Sequence, residues 1–105
     1  MALLDDIRAK IATREYEFSK HAVDQMIIRS IRVAEMEEAI SNRSELIEDY
    51  PEDKYGSSCL ILAFTRAARP LHVQCSYPTR PLVKIVTVYE PDPDLWIDLR
   101  IRKTD

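Results

Sequence analysis

The apolar positions of the first half of the chain recur at spacings of three and four. Leu3, Leu4, Ile7 and Ile11 fall on one stripe of a short helix. Thr13 to Phe18 alternates weakly and reads as a linker or a short strand. Ser19 then offers a hydroxyl that can accept an orphan backbone N–H, a good N-cap for a second helix. That helix is expected to bury Ala22, Val23, Met26 and Ile27. Its other face carries His21, Gln25, Arg29 and Arg32 at steps of four, four and three. The pattern breaks near Ser30. It resumes as a third short helix, Val33 to Ile40, with Val33, Met36, Ala39 and Ile40 inward and Glu35, Glu37 and Glu38 outward.

Near Ser44 the period falls from helical to two. Leu46 to Tyr50 and Ser58 to Thr65 read as strands around a polar turn, Pro51 to Gly56. Leu71 to Tyr77 alternates strictly, with Leu71, Val73, Cys75 and Tyr77 on one side and His72, Gln74 and Ser76 on the other. Leu82 to Tyr89 is a fourth strand, rich in β-branched residues. Pro91 and Pro93 stop it, and Leu95 to Lys103 reads as a short terminal helix capped by Asp94. The expected fold is α+β in one domain, residues 1–105. N-terminal helices pack on a four-stranded antiparallel meander, and the short C-terminal helix follows. The apolar side of the third strand faces the helices, which leaves His72, Gln74 and Ser76 on the open face. A last hairpin closing Tyr77 opposite Leu82 sets His72 against Thr87, with Tyr89 on the same face unless a bulge reverses the parity.

Composition changes this picture little. Of 105 residues, 46% are apolar and 31% charged, an ordinary globular balance that can support one core. No apolar run approaches the ~20 residues of a membrane span. Asp5, Asp6 and Arg8 deny the first ten positions a signal-peptide core. Cys59 and Cys75 have no metal-ligand spacing. They read as free buried thiols of a reducing, cytoplasmic setting, or as a cross-strand disulfide if the register sets them opposite each other. The net charge of −3 argues against a general nucleic-acid coat. Its distribution is uneven. Residues 1–53 hold seven basic and thirteen acidic side chains, whereas 54–89 hold Lys54, Arg66, Arg69, Arg80 and Lys84 and no acid at all.

With one glycine in the chain, a glycine-rich phosphate cradle is excluded. Two histidines are too few for a typical zinc site, so neither metal nor cofactor is expected. Both histidines fall where the pattern predicts a polar face, and imidazole can serve as general acid or base. Each taken alone reads as a surface or hydrogen-bonded residue. His21 opens its helix, where the macrodipole disfavours a positive charge. The row of Gln25 and Arg29 behind it reads as a solvated face or as donors for phosphate.

The run Phe18-Ser19-Lys20-His21-Ala22, with Met26 and Arg29 after it, resembles the start of DUF4258, a bacterial family of unassigned function. Arg69-Pro70-Leu71-His72-Val73 and the stretch Ile85 to Trp96 resemble later parts of it in the same order, so the likeness runs from about Tyr16 to about Asp98. Two departures fall in the turn between helices: Ser30 where the family commonly has Gly, and Arg32 where it often has a Ser or Thr cap. The family looks like a distant branch of the RelE/ParE-type toxins, some members being encoded beside small zinc-finger antitoxin-like proteins. The resemblance implies a toxin of a toxin–antitoxin pair that cuts RNA without metal, although ParE-type relatives do not cut RNA. Under that expectation His21 and His72 act as base and acid, in either order, with Arg29 and Tyr89 as further catalytic groups. Gln25, Arg69, Thr87 and Lys84 contact substrate. The site is one shallow cleft lined by His21, Arg29, His72 and Tyr89. The alternative is a non-catalytic protein-binding module with a relict toxin fold, suggested by the acidic group Glu35, Glu37, Glu38, Glu45, Glu48 and Asp49.

Overall fold

A computed structural model describes residues 2–104. The elements, in chain order, are helix α1 (Leu3–Ala12), strand β1 (Tyr16–Phe18), helices α2 (Lys20–Ile28) and α3 (Val33–Asn42), and strands β2 (Ser44–Tyr50), β3 (Ser58–Phe64), β4 (Pro70–Ser76) and β5 (Val83–Tyr89). A hairpin of β6 (Trp96–Ile97) and β7 (Ile101–Arg102) ends the described chain. Among the described residues no helix is long and apolar enough to cross a membrane.

The fold is α+β, with two corrections. The main sheet has five strands, ordered β1-β5-β4-β3-β2, not four. The meander from β2 to β5 is antiparallel, but β1 joins its far edge in parallel, pairing Tyr16 with Val83 and Phe18 with Ile85. So the stretch that read as linker or short strand is a strand. Three residues carry too weak an alternation to declare it, and only the open edge of β5 gives it a partner. The second correction is at the C-terminus, where a hairpin replaces the expected helix. Asp98 and Leu99 take positive φ (52° and 61°), incompatible with a helix, and Arg100 N–H closes the turn on the Ile97 carbonyl at 3.0 Å.

The helical face of the sheet buries the main core. Ile7 and Ile11 of α1, Ala22 and Met26 of α2 and Met36, Ala39 and Ile40 of α3 pack on Ile61, Leu71, Val73, Cys75, Val83, Ile85 and Val88. Each helix buries a narrower stripe than its period suggests. Val23, Ile27 and Val33, expected inside, are 40%, 72% and 45% exposed. For Val23 and Ile27 the reason is that α2 lies over β5 and β1, at the edge of the sheet, and has sheet beneath one side only. Ile31, in the α2–α3 turn, fills the core instead. Ser30 there sits at φ 54°, a left-handed conformation that glycine adopts without cost. Arg32 precedes α3 with no side-chain cap of its own, and Glu35 reaches back to accept its backbone N–H at 3.0 Å.

Cys59 and Cys75 are direct partners across β3 and β4, with sulfurs 4.0 Å apart and no disulfide between them. The adjacent Cys59 thiol, together with burial, pushes the Cys75 thiol well up. Both thiols are therefore expected to resist a thiol reagent in the folded protein and to react together on unfolding. Labelling that goes to completion under native conditions, with no denaturant, would count against this packing.

Candidate functional site

The site begins with Ser19. Its hydroxyl accepts the Ala22 N–H at 3.0 Å, capping α2, and donates to the Val86 carbonyl at 2.9 Å. That carbonyl is accessible because β5 bulges at Val86. Gln74 pairs with Thr87 and Cys75 with Ile85, so Val86 has no opposite number on β4. One side chain thus ties the start of α2 to the irregular point of β5. It sets the polar stripe of α2 beside the half of β5 that β1 does not reach.

The register on that strand differs from the expected one. His72 lies opposite Tyr89 and Gln74 opposite Thr87, so His72 does not face Thr87. The bulge falls beyond these pairs, so His72, Gln74, Thr87 and Tyr89 keep one face.

On that face the sheet is not open throughout. The C-terminal hairpin folds over it, and His72 is fully buried rather than exposed. Leu60 and Leu62 share this second apolar layer, which Trp96 closes. The Trp96 ring meets the His72 ring edge-on with centroids 4.5 Å apart, and Arg102 lies over the indole at 4.7 Å. Arg100 and Arg102 pair with Glu45 and Glu48 of β2 and hold the hairpin down. Burial alone would raise the Glu48 carboxyl. The Arg102 guanidinium and Tyr50 hydroxyl outweigh it and hold the group below the usual range.

His72 uses both ring nitrogens. Nε2–H donates to the Leu99 carbonyl at 2.7 Å, which leaves Nδ1 to accept the Tyr89 hydroxyl at 3.0 Å. Burial pushes the imidazole below its ordinary range, against the Leu99 carbonyl and Glu48, which favour the cation. This is a neutral histidine that fixes Tyr89, covered from any substrate.

His21, Gln25 and Arg29 from α2, Thr87 and Tyr89 from β5, and the hairpin's Trp96 line one open cleft of about 430 Å³. His21 and Arg29 are exposed. Arg29 Nε donates to Gln25 at 3.2 Å and makes no ion pair among the described residues. Tyr89 is half-buried, and burial raises its hydroxyl above the ordinary phenol range. Of the remaining carboxylates on the cleft, Glu90 is held by Arg69, and Asp92 accepts the Asp94 N–H at 2.8 Å.

Two expected contact residues lie elsewhere. Arg69 is committed inside the fold. It pairs with Glu90 and with Glu35 at 3.1 Å, and donates to the carbonyls of Ser30 at 3.2 Å and Arg29 at 3.0 Å. Nothing remains for a phosphate. Lys84 is exposed but lines a different cleft, at the other end of β5. The acid-free stretch therefore makes no single cationic surface. The acidic group of the first half is likewise spent internally. Glu35, Glu45 and Glu48 pair with arginines, Glu37 accepts the Tyr16 hydroxyl, and Glu38 the Arg66 N–H. The sequence reading missed Trp96 and Arg102 as parts of the site. Their signal was the pattern of Trp96 and alternating arginines after Pro93, which read as helix.

Comparison with known families bears on residues 18–90, which match the model of a domain of unknown function, DUF4258. The chain belongs to the DUF4258 family. That span runs from the end of β1 through Tyr89, so it includes Ser19, His21, Arg29, His72 and Tyr89, while the C-terminal hairpin lies beyond it. No curated protein and no solved structure matches the chain.

Proposed function

We propose that this DUF4258 protein is a ribonuclease that cleaves single-stranded RNA through attack of its own 2′-hydroxyl. What carries the reading is one juxtaposition. The polar stripe of α2 and the end of β5 put an imidazole, a guanidinium without an ion pair among the described residues, and a half-buried phenol around one cleft. In-line attack needs a base for the 2′-hydroxyl, a cation for the phosphorane and an acid for the leaving oxygen. His21 is the base and Arg29 the cation; Tyr89 is the acid, its O–H turning from His72 Nδ1 to the leaving oxygen as the P–O bond breaks. Burial keeps the Tyr89 phenol protonated at neutral pH, and the charges of Arg102 and Arg29 favour its anion once the proton has gone. His72 is a positioning residue that fixes the Tyr89 oxygen, not a second acid–base group. Each role is filled by a side chain of this protein, so the reaction is expected to run with chelator present.

Purified protein in EDTA should cut a single-stranded RNA to a 2′,3′-cyclic phosphate end. His21→Ala and Tyr89→Phe should each slow it by about a hundredfold, equivalent to about 2.7 kcal/mol of barrier. A wild-type protein inert on a panel of RNAs, or a double variant as fast as wild type, ends the reading. By its family likeness the protein would be the toxin of a toxin–antitoxin pair, with an antitoxin-like protein as partner in the cytoplasm. A second reading, a non-catalytic module that binds protein, is favoured by the exposed apolar row Val23, Ile27 and Ile28. It predicts that Ile27→Asp abolishes capture of such a partner while cleft variants do not.

A further inference from the structure

A second cleft, of about 330 Å³, lies on the same sheet face between the β2–β3 and β4–β5 loops, where the hairpin does not reach. Lys84 and Arg80 stand on it, both exposed and without an ion pair among the described residues. Gln74 is half-buried on its floor, and its amide has no partner within the described chain. Tyr55, 86% exposed, forms one wall, with Lys54 over its ring at 5.0 Å. A large aromatic held out in solvent contributes nothing to a core, but it is a stacking platform for a base. An amide that both donates and accepts can read a base edge. One lysine and one arginine head beside it suit a phosphate.

The two clefts are joined. Gln74, in this one, is the direct strand partner of Thr87, in the other. Lys84 and Tyr89 stand five residues apart on β5, a reach of about 16 Å at ~3.3 Å per residue. The Val86 bulge lies between them and turns the strand from one cleft to the other.

We infer that the second cleft is a binding subsite for a flanking nucleotide of a single RNA strand that runs along β5. Tyr55 stacks its base, Gln74 meets the base edge, and Lys84 and Arg80 take the neighbouring phosphate. The inference rests on the ribonuclease reading for the identity of the ligand. Two carboxylates also line the cleft. Asp53 is occupied, accepting the Tyr55 N–H at 3.2 Å and the Ser58 hydroxyl at 3.4 Å. Glu17 is not: it sits beside Lys84 in the β1–β5 pairing and opposes any phosphate there. This gives the subsite a sign that a structural role would not have. Removing Lys84 weakens binding, and neutralising Glu17 strengthens it.

The test uses the full chain and a fluorescent 2′-O-methyl RNA strand, which cannot be cut, read by anisotropy over a range of salt. Arg80→Ala with Lys84→Ala should lower the slope of log K against log salt by about 0.7, the value for one phosphate contact on a single strand. Tyr55→Ala should weaken binding about tenfold. Glu17→Gln should tighten it. All four side chains are exposed, and an unchanged melting temperature confirms that each variant folds. Equal affinity and slope in wild type and the double cation variant would overturn the subsite, even if RNA is cleaved. The expected slopes in a protein that cuts no RNA would uphold the subsite and discard the ribonuclease.

Discussion

Replacing Arg69 by methionine should lower the melting temperature by about 20 °C. The guanidinium joins three parts of the fold. It pairs with Glu35 of α3 and with Glu90 just after β5, and closes on the carbonyls of Arg29 and Ser30 where α2 ends. Those carbonyls have no intrahelical donor, and Ser30 is already in a left-handed conformation. The Arg69 side chain is 24% exposed and Glu35 18%, so the network is only partly screened by water. Removing one partner of such a network costs about 3–5 kcal/mol, because the others stay behind unpaired. In a domain of this size each kcal/mol moves Tm by roughly 4–8 °C. Methionine keeps the length and apolar stem, so the loss reports the guanidinium. Lysine cannot make the forked contacts and should recover little of it. Thermal unfolding followed by circular dichroism measures the shift. A Met variant melting within a few degrees of wild type would show that Arg69 is not the tie described.

Trp96→Ala should release the C-terminal hairpin and cost about 3 kcal/mol. Trp96 is the buried anchor of a hairpin in which Leu95, Ile97 and Ile101 are 52–62% exposed and Leu99 is only partly covered. Without it the two arginine pairs hold a cover with nothing beneath. The effect should be visible at His72, whose proton equilibrium depends on that cover. In the wild-type protein burial keeps the imidazole neutral, so the unfolded chain binds more protons at mildly acid pH than the folded one does. The stability that follows is fully present above the unfolded value near 6.5, and is lost as pH falls from there through the depressed folded value. The variant should show His72 titrating closer to its ordinary range, and a flatter loss of stability between pH 7 and pH 5. Proton NMR of the His72 ring reads the first and denaturant unfolding at each pH the second. A His72 titration unmoved by Trp96→Ala would mean that the hairpin is not what buries it.

The switch from helical spacing to alternation near Ser44 was enough to locate three helices and four strands within a few residues. Periodicity reports which side of an element is dry, and a core of this size leaves each element one dry side. The same signal overstated the dry side at Val23, Ile27 and Val33. How wide a stripe becomes buried depends on how far the sheet extends beneath the helix, and no local pattern carries that. β1 was ambiguous for a related reason. A three-residue edge strand is defined by its partner, Val83 to Ile85, about seventy positions away. The terminal segment was misread because Leu95, Trp96 and Leu99 satisfy a helical spacing as well as they satisfy a hairpin. What decided it was an apolar sheet face, Leu60, Leu62 and the flat side of His72, that had no other cover.

The polar stripe His21, Gln25, Arg29 could be read from the chain because a helix fixes its own faces. So could the common side of His72, Thr87 and Tyr89, because the bulge falls after Gln74. Whether the two groups meet was a question of tertiary structure. The answer turned on one hydroxyl, Ser19, finding the carbonyl that the bulge at Val86 leaves open. Tertiary structure also separated two residues that look alike in sequence. Both histidines sit at polar positions, but His21 remains in water, while the hairpin that begins at Trp96 closes over His72. Sequence fixes a side chain's direction relative to its own element. Its exposure depends on what else in the fold needs that surface covered.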